Sequence, residues 1–255
     1  MGLFIGRSIP LSLPRRLVTD FMHVSRNIPR VCMERRLPLR PLVAARAASG
    51  LRPSWYALLS KAFGIVAARN PMLRRTYMPY PWPRLYEHPE SVANISVERE
   101  VCGESTPMVA NISHPERRSL ADINDWVRRA QDRPLHEIAA FRRLLLIARL
   151  PFPVRRFLLW MSNEWSGSQR AKFFGTFGIS LTSSLGATLK HMVTPFTTTL
   201  HAGPFGPDDS MPLRVWFDHR LLDGAPMARI LKELEEVLLG DILIEVRSLP
   251  CREAA

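Results

Sequence analysis

An α/β fold is predicted by three features of the sequence. Residues 213–217 are apolar and β-prone apart from Arg214. After a short turn they lead into an amphipathic helix opened by Asp223 and Gly224, in which Met227, Ile230, Leu231, Leu234, Val237 and Leu238 share one face. Between 91 and 102 the apolar Ala93, Ile95 and Val97 alternate with Asn94, Ser96 and Glu98, the period of a half-buried strand. Helical periods recur between such strands, at 54–68 and 119–133, so both element types share one chain. With 255 residues, 46% of them hydrophobic, the chain can bury one large core or two small ones, and a single domain over 1–255 fits.

In chain order, Pro14 stands in the first turn of a helix that runs to about Arg26. Ile28 and Pro29 precede Val31 and Met33, a strand. Helical patterns follow at 39–48 and 54–68, the second opened by Ser54 as N-cap and stopped at Asn70-Pro71. From 72 to 89 the prolines Pro79, Pro81, Pro83 and Pro89 leave room only for short strands or extended segments. Tyr77, Tyr80, Trp82 and Tyr86 interleave there with Arg74, Arg75 and Arg84. That mixture suits stacking on nucleic acid, but no nucleic-acid module accompanies it, and core packing with loop rigidity explains it better. The strand at 91–102 pairs with one at 106–112. Ser119 and Asp122 form a capping box for the helix to about Arg133. A strand pattern resumes over 173–181, and strands at 193–201 and 211–218 flank a turn-rich loop at 203–207.

The segment 141–165 stands apart. It holds two apolar, basic helical pieces, 141–149 and 154–161, broken by Pro151 and Pro153, with no acidic residue between Glu137 and Glu164. Packing on the sheet or on a neighbouring subunit is the favoured reading. The alternative is an amphipathic hairpin resting on an anionic membrane surface. The whole chain carries a net charge of +12, and only Lys61, Lys172, Lys190 and Lys232 among its 35 basic residues are lysines. Such a surface attracts anions: nucleic acid, acidic headgroups or the phosphates of a nucleotide-bearing cofactor. Cys32, Cys102 and Cys251 are odd in number and widely spaced. That argues against a disulfide framework or a zinc site and for a cytoplasmic setting, peripheral to a membrane if the hairpin lies on one. No apolar run reaches the length of a membrane span.

Chemistry concentrates at the strand-to-helix turn. His219 and, four residues on, Asp223 lie where scaffolds commonly display catalytic groups, and a neutral imidazole there can take a proton near pH 7. His191 and His201 have no motif around them and read as structural or surface groups. No Gly-x-Ser-x-Gly elbow occurs, which argues against a Ser-His-Asp hydrolase. The pattern Asp-His-Arg-x-x-Asp-Gly over 218–224, followed by Ala225 and an amphipathic helix, resembles the active-site signature of the catalytic domain of the dihydrolipoyl acyltransferases of 2-oxoacid dehydrogenase complexes, which shares the chloramphenicol acetyltransferase-like fold. The resemblance extends to Pro-Leu-Ser-x-x-Arg at 10–15 and to Gly-Thr-Phe-x-Ile-Ser at 175–180, and it is absent around 141–165.

The resemblance implies a two-layer sandwich, a mixed β-sheet covered by helices, assembled as a homotrimer or a higher multiple with active sites between subunits. His219 is then the general base, Ser180 the donor to the oxyanion, and Asp223 the support of the His219 turn through a pair with Arg15. Gly178 replaces a threonine of the family pattern and the Ser-Leu-Gly ending comes only at 184–186, so Ser183 and Ser184 stay open as alternative donors. The implied co-substrate is coenzyme A as an acyl-CoA, with no metal, and the acceptor is an unidentified thiol, hydroxyl or amine. No lipoyl lysine domain accompanies the catalytic pattern. The expectation is therefore a stand-alone acyl-CoA-dependent acyltransferase, with no nucleic-acid partner. The alternatives are a core that receives a lipoyl group in trans from another protein, and a non-catalytic trimeric scaffold.

Overall fold

The computed structural model describes residues 6–182 and 186–250. Helix α1 (Leu13–Ser25) starts where the Ser12 hydroxyl accepts from the Arg15 N–H, with Pro14 in its first turn. Strand β1 (Arg30–Pro38) runs well past Met33, because its whole length pairs antiparallel with β8 (Ser210–Asp218), from Arg30 opposite Asp218 to Pro38 opposite Ser210. Helices α2 (Arg40–Ala48) and α3 (Trp55–Arg69) follow, the latter capped by Ser54. The proline-rich stretch makes a small hairpin, β2 (Arg75–Met78) and β3 (Arg84–Glu87). Strands β4 (Val92–Val101) and β5 (Glu104–Ser113) pair through a two-residue turn in which Cys102 and Gly103 both take positive φ, 54° and 77°.

Helix α4 (Leu120–Asp132) begins at the expected Ser119 cap. The divergent segment folds as α5 (Ala139–Arg149), α6 (Phe152–Trp160), a π-helical turn (Met161–Trp165) and α7 (Gly167–Phe174). Here the sequence reading is corrected twice. Phe173 and Phe174 belong to a helix, which Gly175 ends at φ 78°, so β6 spans only Phe177–Leu181. Strand β7 likewise begins at Thr198, not 193, and ends at Ala202. Helix α8 (Gly224–Val237) passes through a π-helical turn (Leu238–Ile242) into α9 (Leu243–Ser248).

One six-stranded mixed sheet results, in the order β1-β8-β7-β6-β4-β5, with β6 parallel to both β4 and β7 and the other pairs antiparallel. Because side chains alternate along a strand, the sheet has two unlike faces. Ala93, Ile95, Phe177, Ile179, Leu200, Val215 and Phe217 are buried in the same core as Phe63 and Leu59 of α3 and Met227 and Ile230 of α8, with the Phe63 and Phe177 rings 4.8 Å apart. The opposite face carries Asn94, Ser96, Ser180, Thr199 and His201, and α1 crosses it. This is the two-layer, helix-covered mixed sheet of the chloramphenicol acetyltransferase-like class. The segment 141–165 packs on the fold: α5 lies against α1 and β5, and buried Asp20 of α1 pairs with both Arg155 and Arg156 of α6. Among the described residues no helix is long and apolar enough to cross a membrane.

Candidate active site

His219 sits in the turn after β8. Its backbone N–H donates to Pro29 O at 2.9 Å, while Leu221 and Leu222 both donate to Asp218 O, so the chain wraps back on the strand end. The ring is half exposed, with the side chain 49% accessible. Its Nδ1 lies 3.0 Å from Leu222 O and 3.4 Å from Asp223 Oδ1. A carbonyl can only accept, so Nδ1 carries the proton and the Nε2 lone pair is left free to act as a base.

The support of this turn differs from expectation. Asp223 is 80% accessible, and Arg15 does not reach it. Arg15 pairs instead with Glu104 at the start of β5, beside a 2.5 Å bond from Ser12 Oγ to the same carboxylate. These two contacts, Ser12 first, hold the Glu104 carboxyl below the usual carboxylate range. The reason is the path of α1. Its far end delivers the chain to Arg30 opposite Asp218, whereas Arg15 lies ten residues earlier, about 15 Å back along the helix and over the β5 edge. Within the chain the turn is braced by Asp218 and Arg220. Buried Asp218 accepts from the Arg220 backbone N–H and is gripped by its guanidinium, Nε to Oδ1 at 2.9 Å and Nη2 to Oδ2 at 2.6 Å. The same guanidinium lies 4.3 Å over the Tyr77 ring. Both residues are in the motif, and their spacing of two was the available signal.

Ser180 lies on β6, half-buried, where two hollows meet. One is an apolar cavity of about 220 Å³ under α1, walled by Leu17, Phe21, Met108, Met192 and Phe196. The other is polar and open, about 760 Å³, with Arg46, Tyr56, Thr106 and Gln131 in its wall. Ser96, Pro107 and Ser180 belong to both. Gly178 makes the apolar cavity's floor close: a Cβ there would stand 2.4 Å from the Phe196 ring. The backbone of Ser180 is pinned from behind. His201 Nδ1 donates to Ser180 O at 2.9 Å and its Nε2 accepts from the Leu189 N–H at 3.2 Å, while Tyr56 Oη accepts from the Leu181 N–H and donates to Ser96 O. Burial keeps the His201 pKa below its ordinary value, which suits the neutral ring those two bonds need. His201, read from sequence as a structural or surface group, is structural: it is buried and bonds two backbone groups. Ser183 and Ser184 lie outside the described residues.

The two groups do not meet within one chain. Ser180 pairs with His201 and His201 with Arg214, the middle of β8, so His219 lies five residues farther along, just past the strand's C-terminal end. That is roughly 17 Å along the strands and about 10 Å across two strand spacings.

No family model and no curated protein matches the sequence. Solved structures do. Dihydrolipoamide acetyltransferase from Azotobacter vinelandii superposes with a TM-score of 0.69 at 18% identity over 94% of each chain. In that acetyltransferase a serine, a histidine and, four positions after the histidine, an asparagine have been studied for their role in the catalytic mechanism. A probable dihydrolipoamide acetyltransferase from Listeria monocytogenes gives 0.65 at 18% identity over 98% of each chain. Chloramphenicol acetyltransferase gives 0.51 at 14% identity, over 87% of this chain and 94% of the other. The chain therefore has the fold of these catalytic cores.

Proposed function

We propose that the chain is an acyl-CoA-dependent acyltransferase whose active sites form between copies, His219 of one facing Ser180 of the next. The observation that carries this is the separation just described. A base with a free Nε2 stands open at one end of the sheet and a hydroxyl stands between two hollows at the sheet's mid-height, about 17 Å away along the strands. A head-to-tail contact that closes into a ring joins two such groups once per subunit, and a homotrimer is the smallest ring that suits this fold.

In this reading His219 Nε2 takes the proton of the acceptor thiol, hydroxyl or amine as the acceptor attacks the thioester carbonyl. The Ser180 hydroxyl donates to the oxyanion of the tetrahedral adduct. The adduct collapses, the carbon–sulfur bond breaks, and the departing thiolate receives the proton from the imidazolium, leaving acylated acceptor and free CoA. No covalent acyl-enzyme is needed. The polar hollow, with Arg46, Tyr56, Thr106 and Gln131, fits the neutral, hydrogen-bonding arm of the CoA substrate, and the apolar one an acyl or acceptor chain. The same chemistry serves a dihydrolipoyl thiol supplied in trans, so dihydrolipoamide belongs among the acceptors tried. A purely structural trimer gives no reason for the free Nε2.

The test is thiol release from acetyl-CoA and longer acyl-CoAs with a panel of acceptors. His219→Ala is expected to lose about 10²–10⁴-fold in turnover while keeping its melting temperature, since the ring is half exposed. Equal turnover by both proteins removes His219 from the mechanism.

A further inference from the structure

Beneath the His219 turn, cations outnumber the anions that could balance them. Asp218 is 2% exposed and is already gripped by Arg220. Arg170 is 5% exposed and donates to two carbonyls, Asn163 O and Pro195 O. Arg30 donates to Phe196 O, and its Nε and Nη1 are enclosed without a partner. Among the described residues neither Arg30 nor Arg170 has a carboxylate within ion-pair distance, although both feel Asp218 and Arg220, and Arg170 also feels Arg30. Burial pushes each of them down to about 10. Glu164 is the other acid acting on Arg170, more weakly than Asp218. Three guanidiniums against two carboxylates leave one positive charge over, in a place where an unbalanced charge is expensive. His88 reports the same excess from the far side. Burial first, then Arg170 and Arg74, hold it neutral down to about 4.

A cavity of about 210 Å³ opens against this cluster, lined by Arg170 and Arg220 together with Asn27, Tyr77, Tyr80, Asn163 and one carboxylate, Glu164, which the two guanidiniums outnumber. Asn163 is 3% exposed, and its side-chain oxygen has no hydrogen-bond partner. We propose that this cavity is a phosphate-binding site, in which Arg170, Arg220 and Asn163 receive the oxygens of a phosphate group. Guanidinium forks suit the several acceptor oxygens of a phosphate, and the charge it brings balances the cluster. Asp218 and Arg220 flank His219, so filling the site stiffens the turn that carries the imidazole. The phosphate comes either from a soluble nucleotide or from a lipid headgroup. The mouth lies at Tyr80, 42% exposed, whose ring stacks with Trp165 and meets Trp160 edge-on.

The assignment does not rest on acyl transfer, and its test needs no turnover, so either reading can fail without the other. Titration calorimetry of the full chain with inorganic phosphate, against chloride at matched ionic strength, is expected to show one saturable site per chain and a rise in melting temperature specific to phosphate. Asn27→Asp places a negative charge at the exposed rim without touching the buried cluster. It is expected to weaken phosphate binding at least tenfold and to leave the phosphate-free melting temperature unchanged. Arg170→Gln is expected to abolish binding, and if that variant does not fold, the Asn27→Asp result decides. Tighter capture of 3′,5′-ADP than of inorganic phosphate identifies a nucleotide source. Capture by phosphatidylglycerol vesicles that inorganic phosphate reverses identifies a headgroup. A melting shift equal in phosphate and chloride, or undiminished binding by Asn27→Asp, overturns the assignment.

Discussion

The His219 end of the sheet and the Ser180 end of β6 are built by opposite means. At the His219 end, one contiguous stretch supplies the strand, the turn, the base and the Asp218–Arg220 grip, and only Pro29 and Tyr77 are borrowed from elsewhere. At the Ser180 end almost nothing is local: α1 roofs the hollow, β4 gives Ser96, β7 gives His201 and α3 gives Tyr56. A base needs only a turn that fixes its tautomer, which a short motif can encode. An oxyanion donor needs a backbone held still from several directions and a shaped space before it, which only tertiary packing provides. The difference predicts that the first end tolerates change in distant parts of the chain and the second does not.

The sharpest way to break the comparison is to destroy the two ends in separate chains. His219→Ala and Ser180→Ala are each expected to be nearly inactive, the second by about 10²–10³-fold. If sites are shared between neighbours, unfolding and reassembling the two together pairs an intact histidine with an intact serine at about a quarter of the interfaces. Thiol release is then expected to return to roughly that fraction of wild type. No recovery, with mixed oligomers verified by mass, would place both groups in one chain or outside the chemistry.

How much of each end was legible in the sequence follows from the same contrast. The turn, the helix after it and His219 could be read because periodicity and motif share one window. The pairing of Arg15 could not. The family pattern puts an arginine near the start of α1, but its partner is decided by where a helix of thirteen residues lands on the sheet, and it lands on Glu104. The segment 141–165 was legible as two helical pieces, not as a clamp, since nothing local links Asp20 to Arg155 at a separation of 135 residues. That clamp supports the Ser180 end by fixing α1. Asp20→Ala leaves Arg155, 5% exposed, buried without its carboxylate. The expected loss is about 3–5 kcal/mol of stability, read as a lower melting temperature and denaturant midpoint. A loss below about 1 kcal/mol would mean that α6 is not anchored this way.

Gly178 probes the same end more gently. The family pattern has a threonine at that position, and the structure gives the departure a use, because only the missing Cβ lets Phe196 close the apolar hollow. Gly178→Ala is expected to displace that ring and to lower stability by about 1–3 kcal/mol. The KM of long-chain acyl-CoAs should change more than that of acetyl-CoA, because the hollow reshaped is the one suited to a chain. Equal effects on both substrates would detach the hollow from acyl recognition.

The smallest effect is expected where sequence placed one of the strongest supports. Asp223 caps α8 without a side-chain hydrogen bond to the helix, is 80% accessible, and touches His219 Nδ1 only at 3.4 Å, where Leu222 O is already the nearer acceptor. An exposed pair of this kind contributes about 0–1 kcal/mol. Asp223→Asn should therefore lower turnover less than about tenfold, and Asp218→Asn, which frees the Arg220 fork beneath the turn, should lower it more. A larger loss for Asp223 than for Asp218 would mean that a neighbouring copy closes over Asp223 and buries it. The pair with His219 would then gain strength through assembly, and the His219 end would be as dependent on tertiary contacts as the Ser180 end.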